Sequence, residues 1–177
     1  MMNDNPVIFL IGPRGAGKTS VGRSLARNLK YDFYDTDALV CSQAGLTVAE
    51  IVTQEGWDTF RQRESEALSS VANHACVIAT GGGMVLKEDN RSLMRSKGIV
   101  FFLSASPGVL YERLAKNVHD AQRPSLTDKG LLLEIQSILA EREHLYHGCA
   151  HHCLDAAAPL PKVVSSILRI LHRRKGK

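Results

Sequence analysis

The stretch Val7-Ile8-Phe9-Leu10-Ile11-Gly12-Pro13-Arg14-Gly15-Ala16-Gly17-Lys18-Thr19 decides how the rest of the chain is read. Its second part fits the pattern G-x-x-x-x-G-K-[ST], and its first part is an apolar run with the length of a buried strand. After Lys18, apolar Val21, Leu25, Ala26 and Leu29 recur at three- and four-residue intervals, the spacing of one helix face. Strand, glycine turn and helix in that order make a cradle for phosphate. The glycines let successive backbone N–H groups point inward, and the helix adds the positive end of its dipole. Gly12, Pro13, Arg14, Gly15, Ala16 and Gly17 would line the cradle, Lys18 would reach the β- and γ-phosphates, and the Thr19 hydroxyl would take a magnesium position. A nucleoside triphosphate site is therefore expected near the start of the chain.

Outward from that stretch, short apolar runs alternate with helical patterns: Phe33-Tyr34, Cys76 to Ala79, Ile99 to Leu103 and a weak run near His152 to Leu154. Strands separated by helices predict a parallel sheet covered on both faces, an α/β architecture. Two helix starts are legible. Thr47-Val48-Ala49-Glu50 is a capping box, and Ser106-Pro107 puts proline at a first helical position. The 177 residues predict one domain, 1–177, with no linker that would divide it. Within it, Lys116 to Lys129 is polar and almost without core-forming residues. Composition alone fits a solvated loop there as well as a lid.

Hydrophobic residues make up 44% and charged residues 23%, which is globular composition. No apolar run approaches the length of a bilayer span, and Met1 to Pro6 lacks the basic start and apolar centre of a signal peptide. No membrane association and a cytoplasmic location are expected. Cys41, Cys76, Cys149 and Cys153 are too scattered for a disulfide framework, so reduced thiols are expected. The cluster His147 to Cys153 has ligand types that suit zinc but lacks the paired second half of a structural site. A loop running into a half-buried strand is expected instead. The net charge of +4 owes much to the terminal run His172 to Lys177, and only 6% of residues are aromatic, so no nucleic-acid partner is expected.

Phosphoryl transfer asks a protein for positioning and charge stabilisation. Asp35-Thr36-Asp37 follows the second apolar run, at the strand end where open parallel sheets bind ligands. One carboxylate could face a metal and the other a substrate hydroxyl, while a polar turn with Asp37 capping a helix explains the pattern equally well. In Phe60-Arg61-Gln62-Arg63-Glu64 an arginine fork could hold a carboxylate, or simply pair with neighbouring glutamates at the surface. Thr80-Gly81-Gly82-Gly83 would let backbone approach a ligand, or make a wide turn. The third apolar run has no aspartate at its end, which leaves Asp35 as the metal-side acid.

These segments, with Arg123-Pro124 and Arg142 followed by Leu145-Tyr146, stand in the order and spacing of the shikimate kinases. From about Val7 to Ile170 the chain resembles that family, and its bacterial type 2 members most. The resemblance implies a P-loop kinase-type five-stranded parallel sheet, helices on both faces and a mobile lid inserted at about residues 115–129. It implies transfer of the ATP γ-phosphoryl group to the 3-hydroxyl of shikimate, with Mg2+, in the route to aromatic amino acids, by a monomer. Thr19 and Asp35 would serve the metal. Asp37 would orient the acceptor hydroxyl, and Arg61 and Arg142 would clamp the shikimate carboxylate. Gly82, between Gly81 and Gly83, would offer its backbone, and Arg123 on the lid would close over the phosphates. One departure stands out: Asp155 to Pro161 lacks the arginine with which some relatives hold adenine. A gluconate kinase would share the glycine loop without needing two arginines aimed at one carboxylate, and a non-catalytic nucleotide-binding regulator would not need the acceptor-side residues.

Overall fold

Val7–Ile11 is buried at every position, as a strand must be when helices cover both its faces. The computed structural model describes residues 6–116 and 130–175. The remainder of the expected lid, including Arg123, lies outside the described residues. Five strands, β1 Val7–Ile11, β2 Asp32–Asp35, β3 Cys76–Ala79, β4 Gly98–Ser104 and β5 His152–Asp155, form one parallel sheet in the order β2-β3-β1-β4-β5. Each apolar run of the sequence is one of these strands. The helices are α1 Lys18–Leu29, α2 Thr36–Ala44, α3 Val48–Val71, α4 Glu88–Lys97, α5 Pro107–Lys116, α6 Leu131–Cys149 and α7 Leu160–Lys175, and a short 3-10 turn spans Met84–Leu86.

Because strand side chains alternate, β1 and β4 feed two cores. Ile8, Leu10, Ile99, Phe101 and Leu103 pack on one face with α1, α5 and α7. Val7, Phe9, Ile11, Val100 and Phe102 pack on the other with α3 and α4. Helix α6 serves both: Ile135 and Leu139 belong to the first cluster, Tyr146 and Cys149 to the second. Arg142, between them in sequence, is only 7% exposed despite its charge.

Local chemistry sets the helix ends. Thr47 and Glu50 form the expected capping box at the start of α3, and those hydrogen bonds hold the Glu50 carboxyl below its ordinary pKa. Pro107 opens α5. One local feature goes beyond the sequence reading: Gly56 has φ 83°, which breaks α3 into a segment before and a segment after it. Such a φ is strained for a residue with a Cβ. Just after the break, Trp57, Phe60 and Arg61 line a cavity beside Gly82 and Gly83.

Among the described residues no helix is long and apolar enough to cross a membrane. The four cysteines are free. In the His147 to Cys153 cluster the side chains serve packing. His147 meets Phe102 edge-on, His152 stacks on Phe101, and His151 Nδ1 accepts from the Val100 N–H at 3.0 Å. Burial pushes the Cys149 thiol up to about 11. No group of three or more His, Cys, Asp or Glu that could hold a metal occurs among the described residues.

Candidate active site

The carboxyl ends of β1, β2 and β3 carry the predicted residues, and the strand order changes direction around β1, the place where open α/β sheets bind ligands. After β1, Gly12, Gly15 and Gly17 have φ of 144°, 83° and 89°. A Cβ on Gly12 would also stand 2.6 Å from the Leu103 carbonyl oxygen. Gly17 caps α1 in the left-handed region with no side-chain hydrogen bond, which leaves the first N–H groups of the helix to an anion. Lys18 folds back over the loop, its Nζ donating to the carbonyls of Gly12 at 2.7 Å and Pro13 at 2.8 Å.

Thr19 and Asp35 meet as expected, the hydroxyl donating to Asp35 Oδ2 at 2.7 Å. The other oxygen, Oδ1, accepts from the N–H groups of Asp37 and Ala38, so Asp35 is the cap of α2. This corrects one detail of the sequence reading: Asp37 neither lies at the strand end nor caps the helix, but sits in the first turn of α2. A hydroxyl beside a carboxylate oxygen suits a hard cation that keeps most of its shell from water and phosphate oxygens.

The triple-glycine segment closes the acceptor side. The Gly81 N–H donates to Thr36 Oγ1 at 2.9 Å, which ties the end of β3 to the start of α2. A Cβ on Gly81 would collide with the Glu64 carboxylate and stand 2.7 Å from Asp37 Oδ1, so two carboxylates border this backbone. A Cβ on Gly83 would collide with the Arg61 guanidinium. Arg61 forms an ion pair with Glu64, which is 1% exposed, and lies over the rings of Trp57 at 5.2 Å and Phe60 at 5.6 Å. Arg63, two residues on, makes the surface pair the sequence allowed, a fork onto Glu55 at 2.8 to 3.2 Å. Both arginines thus pair with a glutamate, Arg61 with a buried one and Arg63 with an exposed one.

Two cavities result. The larger, about 740 Å³, is lined by the glycine loop, Lys18, Thr19, Asp35, Asp37 and, at its far end, Arg113, Ala156 and Ala158. The smaller is lined by Arg61, Arg142, Trp57, Phe60, Gly83 and Tyr146. Arg14 and Gly82 line both, so the two cavities adjoin at the glycine loop. Three of the residues that shape them escaped the sequence reading. Arg113 ties the loop to the far wall by donating to the carbonyls of Gly15 at 3.2 Å and Ala156 at 2.6 Å, and it stands in the cavity where an arginine after β5 is missing. Glu64 and Tyr146 were only members of a spacing pattern. An unusually buried acid or phenol beside an arginine is invisible until the helices are packed.

Comparison with known proteins places the chain in a family. The family model described as shikimate kinase matches residues 14–172. A protein of Yersinia enterocolitica named shikimate kinase 2 is 53% identical over 170 residues, 96% of this chain and 98% of its own length. The structure of shikimate kinase from Acinetobacter baumannii in complex with shikimate superimposes with a TM-score of 0.91 at 32% identity, covering 98% of this chain and 96% of that one. A gluconokinase from Sinorhizobium meliloti reaches a TM-score of 0.59 at 20% identity, which reflects the fold alone. With the family model matched over residues 14–172 and a relative 53% identical over 96% of this sequence, the chain belongs to the shikimate kinases.

Proposed function

We propose that this protein binds ATP in the larger cavity and shikimate in the smaller, and transfers the γ-phosphoryl group to the 3-hydroxyl of shikimate. The observation that carries the reading is the meeting of the two cavities at Arg14 and Gly82, with Lys18 on one side and Arg61 and Arg142 on the other. Two guanidinium forks on one small cavity suit a carboxylate, which they would hold in two places while the ring presents a hydroxyl towards Asp37. Asp37 would accept that hydroxyl's hydrogen bond and so align its oxygen with the phosphorus. Lys18 and the N–H groups of Gly15 to Thr19 would hold the β- and γ-phosphates and receive charge as the bond to the leaving oxygen lengthens.

Thr19 and Asp35 would hold Mg2+, which when bound would neutralise phosphate charge between the β- and γ-oxygens. Arg61 and Arg142 line the smaller cavity and Asp37 the larger, and all three would act on shikimate. A monomer carrying all of these residues would be complete as a catalyst. A coupled ADP-release assay over a panel of organic acids, with shikimate and gluconate among them, tests the reading. Release dependent on shikimate is expected; release dependent on another acid alone would replace it.

A further inference from the structure

The three carbonyls of Gly81, Gly82 and Gly83 are held in different ways. Gly81 and Gly83 accept from the backbone N–H groups of Met84 and Leu86, both at 3.1 Å, as part of one short helical turn. The Gly82 carbonyl accepts from a side chain 64 positions away, the Tyr146 hydroxyl, at 2.5 Å. Tyr146 is fully buried, and its ring stacks on Phe102 with centroids 5.0 Å apart, so the direction of its hydroxyl is set by packing. The Arg142 guanidinium lies close enough to the phenol to favour its ionised form.

We infer that Tyr146 is a positioning residue for the acceptor, holding the Gly82 peptide in the same cavity as Arg142 so that both present fixed donors to the same acid. The inference rests on the proposed binding of shikimate in the smaller cavity. A peptide group is planar, so fixing the Gly82 carbonyl also fixes the Gly83 N–H, which points the opposite way. Glycines on both sides of that peptide carry no Cβ to resist its rotation, which makes an external anchor worthwhile. Among the described residues, neither the Gly82 nor the Gly83 N–H is taken up by a protein acceptor. The hydroxyl keeps its proton throughout the working range, because burial pushes its pKa up to about 12 despite Arg142 and Arg61 nearby. It therefore always donates to Gly82. Gly82 lies against the phosphate loop, where a Cβ on it would stand 3.5 Å from the Arg14 backbone nitrogen, so the anchored peptide also faces the nucleotide side.

Tyr146→Phe keeps the ring and deletes only the hydroxyl. Calorimetry and steady-state kinetics on the full chain should show shikimate affinity and KM weakened about 5- to 30-fold, the effect of one buried hydrogen bond, with the ATP KM within about two-fold of wild type. Leu171→Ala, a buried position in the other core, serves as the packing control: it should lower the melting temperature and leave the shikimate KM within about two-fold. Shikimate KM unchanged in Tyr146→Phe, or raised equally for ATP and shikimate, would overturn the inference while wild-type turnover left the proposed function standing. Wild-type protein inert towards shikimate would overturn the proposed function itself, and the inference with it.

Discussion

Thr19 and Asp35 are sixteen positions apart, yet the threonine hydroxyl donates to the aspartate Oδ2 at 2.7 Å while the aspartate Oδ1 caps the next helix. One carboxylate thus does two jobs, structural through one oxygen and ligand-facing through the other. The two can be separated by choice of substitution.

Asp35→Asn retains a cap acceptor for the Asp37 and Ala38 N–H groups and removes the negative charge. Its melting temperature should stay near wild type, whereas Asp35→Ala should lose about 0.5–2 kcal/mol of stability. In both, the Mg2+ concentration for half-maximal activity should rise by about ten-fold or more. A magnesium titration alongside thermal denaturation checks both statements, and an unchanged magnesium requirement would remove Asp35 from the metal site.

Arg61→Ala removes one arm of the proposed carboxylate clamp and an ion-pair partner of the buried Glu64. Shikimate binding should weaken by about 1.5–3 kcal/mol, the range of a lost charge-assisted hydrogen bond. Arg61→Lys should recover little of it, because an ammonium cannot engage two oxygens in one plane or stack on Trp57 as a guanidinium does. Arg63→Ala, at the exposed pair with Glu55, should change shikimate affinity by less than about two-fold. Calorimetry with shikimate on the three variants distinguishes them.

Gly81→Ala and Gly82→Ala should differ sharply, although they are adjacent. A methyl group on Gly81 collides with the Glu64 carboxylate and crowds Asp37, at a cost of about 1–3 kcal/mol in stability, with loss of most turnover. A methyl group on Gly82 meets nothing closer than 3.5 Å, so that variant should keep its melting temperature. Equal stability of the two proteins would show that the acid pair yields more easily than its burial suggests.

Acid should loosen the β4–β5 edge through His151. Burial, then Arg95, Arg174 and His152, hold its pKa below the ordinary 6.5, and its Nδ1 must stay unprotonated to accept from Val100. Since the folded-state value lies below the unfolded one, this contribution to stability is complete above about pH 6.5 and is lost as pH falls from there through the folded-state value. His152 is shifted in the same direction, by burial and Arg174, and adds to the loss. Melting temperature measured from pH 8 to pH 5 should fall less steeply in His151→Asn, which keeps a neutral acceptor. Identical slopes would place the acid sensitivity elsewhere.

Much of the scaffold was legible in the chain because it is written locally. A strand shows itself as an apolar run, a cap as threonine with glutamate three residues on, and the phosphate cradle as glycines where φ must be positive. By itself the sequence determined the five strands, the α/β class, the nucleotide loop and, through its spacing pattern, the family. Tertiary structure alone decided that Arg61 faces the cavity and Arg63 the solvent, and that Asp35, not Asp37, caps α2. It also decided that Arg113 and Tyr146 hold carbonyls 98 and 64 positions away. The physical reason is range. Periodicity and capping report interactions within a turn or two of helix, whereas these contacts depend on the sheet order and on how α5 and α6 cross its end, where a single buried hydrogen bond leaves no trace in the neighbouring residues.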